Sequence, residues 1–297
     1  MRIAMIAAAA AVVAACTHEP APAQRPIPSL DAADYAPPAV QQLSARTLRV
    51  YETPEADQGV AADRDFIYPI DNFVIGKYRR DTGEPVARWV GEKGGLLRHI
   101  NSCFEERGRL WCANSNYPQA PMGSSVEVFE TASMRHVSTH SFGMMDEGSL
   151  TWFGRYRNGW IASFTHYDGN GVGFKNHAFS NVVTFDNSWR KTGGWLFPES
   201  AMARMAPYGS SGGQLGPDGL LYILGHDRPE MYVLARPTMG PVLVHLATIS
   251  LEVEGQAFSF DPANDRAIFA IDRRKGLTRR IGLPEVTLDH SHAAAFR

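Results

Sequence analysis

The chain has 297 residues, enough for two ordinary domains or one large all-β or α/β domain with a sizeable core. Its 29 Lys and Arg against 31 Asp and Glu leave a formal charge of −2, and its basic runs are as short as Arg273-Arg274-Lys275 and Arg279-Arg280, which argues against nucleic acid as a partner. Aromatic residues at 10% and 27 glycines favour strands joined by turns over helical packing.

The first sixteen residues read MRIAMIAAAAAVVAAC: one early arginine, an apolar run short for a bilayer, then small residues. This is the layout of a secretory signal, so residues 1–15 are expected to be removed. Val13-Ala14-Ala15-Cys16 resembles the lipobox of bacterial lipoproteins. The resemblance implies acylation of Cys16 and stable anchoring in a membrane by several chains. A plain signal peptide with an incidental cysteine is the alternative. Thr17, where an aspartate would signal retention, favours by the same resemblance the outer membrane of a bacterial cell envelope, facing the periplasm or the exterior. Residues 16–46 carry six prolines among alanines, from Pro20 to Pro38, and are expected to form an extended tether.

From 47 to 285 the pattern is all-β: short apolar runs separated by Gly, Pro, Asn and Asp. Five runs end in polar residues: FIYPIDN (66–72), LWCANSN (110–116), WIASFTHYD (160–168), LYILGHD (221–227) and AIFAIDR (267–273). Each is preceded by a Gly- or Ser-containing segment and followed by another alternating strand. The polar ends begin at Asp71, Asn114, His166, His226 and Asp272, spacings of 43, 52, 60 and 46 that suit four-stranded propeller blades, the two wide gaps being insertions. PVARWV, RHVSTHSF and VLVHLATISL supply outer strands for three blades, and TLRVYET (47–53) is placed to complete the last one, closing a five-bladed β-propeller from the other end of the chain. Six blades or an open sandwich are the alternatives. Residues 286–297, with His290-Ser291-His292, are read as a flexible tail.

Cys103 and Cys112 flank FEERGRLW. Counting outward from a turn at Arg107-Gly108 sets them opposite each other at a non-hydrogen-bonded pair, where a cross-strand disulfide is feasible. Two buried thiols are the alternative. Gly216-Pro217-Asp218-Gly219-Leu220-Leu221-Tyr222 resembles the turn-and-strand phrase of NHL-type and gluconolactonase-like propellers. That resemblance implies the propeller fold; the Glu, Asn and Asp with which such lactonases hold a divalent metal have no matching trio here, so their activity is not carried over.

In a propeller the starts of inner strands and the ends of second strands share one face. On this reading His99, Asn114, His166, Asp168, Ser210, Ser211, His226, Asp227 and Gln256 converge on a polar central funnel that takes a small molecule, a glycan or an envelope protein. His166, Asp168, His226 and Asp227 offer imidazole and carboxylate for a divalent metal or acid/base work, so a metal-dependent hydrolase or lactonase is the alternative function; capping of strand ends is the plainer role for the same residues. Whether the protein is an enzyme is left open. Trp152, Tyr156, Trp160, Tyr167 and Tyr208 are candidates for a stacking platform, against the commoner role of core packing. Asp168-Gly-Asn170-Gly-Val-Gly173 lacks the later ligands of an EF-hand. Gly209-Ser210-Ser211-Gly212-Gly213 matches the G-x-S-x-G nucleophile turn, but a GPDG turn and a strand follow it where that motif needs a helix. Glycine there suits close approach of the inner strand to the ring axis.

Overall fold

Each of the five repeated runs forms the second strand of a four-stranded antiparallel sheet. The computed structural model describes residues 37–297; the signal sequence, Cys16 and most of the expected tether lie outside the described residues. Two N-terminal strands, β1 (Gln41–Ser44) and β2 (Arg46–Glu52), precede the blades. Blade 1 holds β3 (Gly59–Ala62), β4 (Phe66–Asp71), β5 (Val74–Arg79) and β6 (Pro85–Val90); blade 2 holds β7 (His99–Glu106), β8 (Arg109–Ser115), β9 (Gly123–Glu130) and β10 (Arg135–Met144). Blade 3 holds β11 (Ser149–Tyr156), β12 (Gly159–Thr165), β13 (Asn181–Asp186) and β14 (Lys191–Leu196). After helix α1 (Glu199–Met205), blade 4 holds β15 (Gly212–Leu215), β16 (Leu221–Leu224), β17 (Glu230–Pro237) and β18 (Val244–Ser250). Blade 5 has β19 (Ser259–Asp261), β20 (Asn264–Asp272) and β21 (Leu277–Gly282), and its outer strand is β2, antiparallel to β21 with Val50 opposite Arg279. The closure expected of TLRVYET is therefore present, and the chain is an all-β five-bladed propeller.

The period of two along each second strand explains its near-continuous hydrophobicity. Successive side chains point to opposite faces of the sheet, and here both faces are seams against a neighbouring blade. Ile67 packs between blades 5 and 1 while Tyr68 packs between blades 1 and 2. Ile161 and Ala162 likewise divide between the two seams of blade 3, and Ile223 and Leu224 between those of blade 4. Every seam thus has its own apolar core. At the closing seam the polar Thr53–Thr278 pair, 2.8 Å apart, adds a hydrogen bond between hydroxyls.

The inner strands approach the axis closely. A Cβ on Gly212 would come within 2.6 Å of the backbone of Gln256 and Ala257, and one on Gly213 within 2.3 Å of the Trp152 ring. The glycines of GSSGG serve that approach, and the strand–turn–strand path from β15 to β16 leaves Ser211 on no nucleophile turn.

Cys103 faces Cys112 in the register expected, and the two are joined in a disulfide with Cα atoms 4.0 Å apart. The ordered fold reaches beyond both expected boundaries. β1, placed in the tether by composition, adds to β18 in parallel, and Gln41 Nε2 donates to Thr287 O at 2.9 Å. The C-terminal segment, read as flexible, is held: β22 (Ala293–Ala294) pairs with β17, the Phe296 amide donates to Gly219 O at 2.7 Å, and the Phe296 ring fills the blade 3–blade 4 seam beside Tyr156 and Trp195.

Candidate ligand site at the channel mouth

All five blades send side chains to the face where inner strands begin. From blade 2, His99 opens β7 and donates its Nδ1 hydrogen to Asn72 Oδ1 at the end of β4 in blade 1. Its ring lies 5.2 Å from Tyr117, which stands 4.5 Å from Tyr167 of blade 3. From blade 4, His226 sits 4.3 Å from Tyr208; its Nδ1 donates to Asp227 at 2.5 Å and its Nε2 accepts from Arg273 of blade 5 at 3.2 Å. Arg273 also lies 3.5 Å from Asp57 at the entry to blade 1. A polar and aromatic ring therefore surrounds the mouth.

Burial lowers the His99 pKa to about 4, opposed by Asp57, so this imidazole is neutral at pH 7. Tyr117 is pushed upward, first by burial and then by Tyr208, which keeps its hydroxyl protonated. A neutral imidazole, phenol hydroxyls and the Asp57–Arg273 pair give the mouth donors, acceptors and flat apolar surfaces at once. That set suits a polar ring-bearing ligand.

The expected residues separate into two groups. His99, His226 and Tyr208 belong to the mouth, Tyr167 is buried behind Tyr117 at 6% exposure, and Asp227 is a largely exposed partner of His226. Ser211, 8% exposed, has a hydroxyl with no hydrogen-bond partner among the described residues, and Gln256 presents a buried Nε2 in the same condition. Such donors are completed by ordered water or a ligand. Asn114 instead ties the chain locally: its oxygen accepts from the amides of Arg98 and His99, and its nitrogen donates to Ser125 Oγ at 3.0 Å. Ser210 is fully buried, accepting from Trp152 Nε1 at 2.8 Å and donating to Gly212 O.

The four residues expected to bind a metal are not brought together. His166 is 2% exposed, with Nε2 against Asp146 O at 3.2 Å, while Asp168 turns away to accept from the amide and ring of His177 at 2.9 and 2.7 Å. β12 ends at Thr165, and Tyr167 then bridges Asn170 across a turn, so the two-residue spacing no longer sets His166 and Asp168 on one side. Among the described residues no three His, Cys, Asp or Glu side chains are grouped to hold a metal ion.

Trp152, Tyr156 and Trp160 are core residues, Trp160 stacking on Trp189 at 4.4 Å. Sequence reasoning missed Asp57 and Tyr117, both in connecting segments with no strand periodicity. The available signal was position: Asp57 adjoins Gln58 at the start of an inner strand, and Tyr117 follows the polar end Asn114–Asn116.

No family model matches the chain, and no curated protein matches it. The crystal structure of glutaminyl cyclase from Myxococcus xanthus is similar at 10% identity and a TM-score of 0.55, covering 84% of this chain and all of that one. A WD40-repeat structure of RRP9 is similar at 11% identity and a TM-score of 0.43, covering 81% of this chain and 98% of that one. At 10% identity the likeness to the cyclase structure is one of fold alone.

Proposed function

We propose that this protein is a lipid-anchored propeller of the bacterial cell envelope that binds a small, polar, ring-bearing molecule, such as a sugar unit of a glycan, at its channel mouth. The observation that carries the reading is the pairing of His99 with Tyr117 and of His226 with Tyr208 on the face where the inner strands begin, the two pairs near enough to interact electrostatically. Tyrosine faces stack on rings, and the imidazoles, Asp57 and Arg273 supply directional hydrogen bonds. The anchor rests on the sequence around Cys16.

The test is a glycan and metabolite screen by thermal shift, followed by titration of each hit against a Tyr117→Ala/Tyr208→Ala variant. Binding that survives the double substitution undiminished places the ligand elsewhere and removes the proposal. For the anchor, labelling with a fatty-acid analogue should mark the native protein and leave Cys16→Ala unlabelled; a labelled variant overturns it.

A second reading is favoured by the neutral His99 together with the likeness to a glutaminyl cyclase. A neutral imidazole accepts protons at pH 7, so the mouth would catalyse proton transfer on a glutaminyl substrate. Mass spectrometry of a glutaminyl peptide incubated with the protein and with His99→Ala decides this: a peptide left intact by the native protein ends the reading.

A further inference from the structure

At the far end of the closing seam, away from the channel mouth, a pocket of about 470 Å³ is lined by five arginines: Arg49 of β2, Arg64 in the β3–β4 turn, Arg79 and Arg80 at the end of β5, and Arg280 of β21. The carboxylates nearby are Asp65 and Asp81 in the lining with Asp63 and Asp261 behind it, so five guanidinium groups face four acids, in a protein whose whole charge is −2. Asp261, with a side chain 0% exposed, takes Arg80 on one oxygen and Arg280 on the other, both at 2.7 Å. Arg80 also donates to the carbonyl of Asp63 at 2.8 Å, Arg49 reaches only the carbonyl of Asp81, and the guanidinium groups of Arg64 and Arg79 have no hydrogen bond or ion pair among the described residues.

Aromatic rings orient several of these groups. Arg49 lies over Tyr51 at 4.7 Å, Arg79 over Phe66 at 5.9 Å and Arg80 over Phe269 at 4.9 Å. Stacking engages the face of a guanidinium and leaves its in-plane N–H groups to donate. Arg64 and Arg79 line this concave space with every guanidinium N–H uncommitted, and Arg49 beside them has spent only one of its nitrogens, a set of planar donors that suits a tetrahedral oxyanion, since each free fork matches two of its oxygens.

We propose that this pocket is a binding site for a phosphate or pyrophosphate group carried by a small molecule. Its volume falls within the roughly 300–1,000 Å³ range of small-molecule sites, larger than a bare phosphate needs. Because the lining comes from β2, blade 1 and β21, an occupant ties the chain's N-terminal strand to both blades it joins. Binding therefore stabilises the closed ring by mass action. The site is independent of the channel mouth and stands whether or not that mouth binds a sugar.

The probe is inorganic pyrophosphate, titrated calorimetrically and by thermal shift into the protein covering residues 17–297, with citrate as a carboxylate comparator. Binding with a rise in melting temperature is expected, weakened roughly tenfold or more in Arg64→Ala/Arg79→Ala and unchanged in Tyr117→Ala/Tyr208→Ala. Both arginines of the first variant are exposed and their guanidinium groups hold no hydrogen bond or ion pair, so its fold is retained and circular dichroism checks it. Absence of pyrophosphate binding, equal binding by the arginine variant, or tighter binding of citrate overturns the proposal. Two vesicle arms identify the source: capture by phosphatidylglycerol vesicles but not phosphatidylcholine vesicles, competed by pyrophosphate, assigns a lipid headgroup, whereas pyrophosphate binding without capture assigns a free phosphorylated metabolite.

Discussion

Arg80 of blade 1 and Asp261 of blade 5 meet at 2.7 Å across the seam where the ring closes, and the carboxylate is wholly buried. Burial alone would raise the Asp261 pKa, but the Ala263 amide, Arg280 and Arg80 outweigh it and hold the group below 3.8. Its folded pKa is depressed, so its contribution to stability is complete above the ordinary value and is lost as the pH falls through the folded one. Asp261→Ala, which leaves two guanidinium groups facing a vacated site, is expected to cost about 3 kcal/mol at pH 7 in chemical denaturation. It should also flatten the acid limb of the stability profile below pH 4; an unchanged profile would show that the bridge contributes nothing to closure.

His99 is expected to titrate near pH 4 by the proton shift of its imidazole in NMR, well below the ordinary 6.5. Burial lowers His245 to about 4 as well. With both folded values below the unfolded one, the unfolded chain binds more protons between pH 6.5 and 4, and stability falls as the pH drops through that window. His99→Phe should remove part of that slope and His245→Phe another part. A His99 titration near 6.5 would contradict the burial seen at the mouth.

Gly212→Ala places a methyl group against the backbone of Gln256 and Ala257 and should cost about 2 kcal/mol by overpacking. Gly154, on the inner strand β11, has open space where its Cβ would stand. Gly154→Ala is the control, expected to change the denaturant midpoint little. Equal midpoints for the two variants would mean that the axis is less crowded than its glycines indicate.

The Cys103–Cys112 bond closes a loop with a sequence separation of 9. Its removal should cost about 2–3 kcal/mol if loop closure in the unfolded chain dominates. Urea titrations with and without reductant measure this directly, and coincident transitions would refute it.

Much of the fold is written in local pattern. Five polar strand ends, the Cys103–Cys112 register and the outer strand supplied by TLRVYET all follow from period-two alternation and turn counting. The outer strand of blade 3 did not, because KTGGWL sets two glycines where an alternating pair would stand. Helix α1 is a single short insertion, too brief for a helical period to register. At the site, the convergence of His99 and His226 was legible from topology. The burial of Ser210 was not, since its partner Trp152 lies on another blade 58 positions away. Asp168 was misplaced by one local event, the end of β12 at Thr165 and the turn that follows it, which no spacing rule encodes.

β2 is among the first parts of the propeller to be synthesised and pairs with nearly the last. Thr53 and Thr278, which flank the junction, are separated by 225 positions. At ribosomal rates of about 5–20 residues per second, the early strand waits on the order of ten to forty seconds for its partner. During that interval Leu48, Val50 and Tyr51 form an unpaired sticky edge, interrupted by Arg46, Arg49 and Glu52. Charges so placed act as gatekeepers against premature pairing with other chains. The arginine that helps line the closing pocket in the finished ring thereby also guards the nascent strand before there is a ring to close.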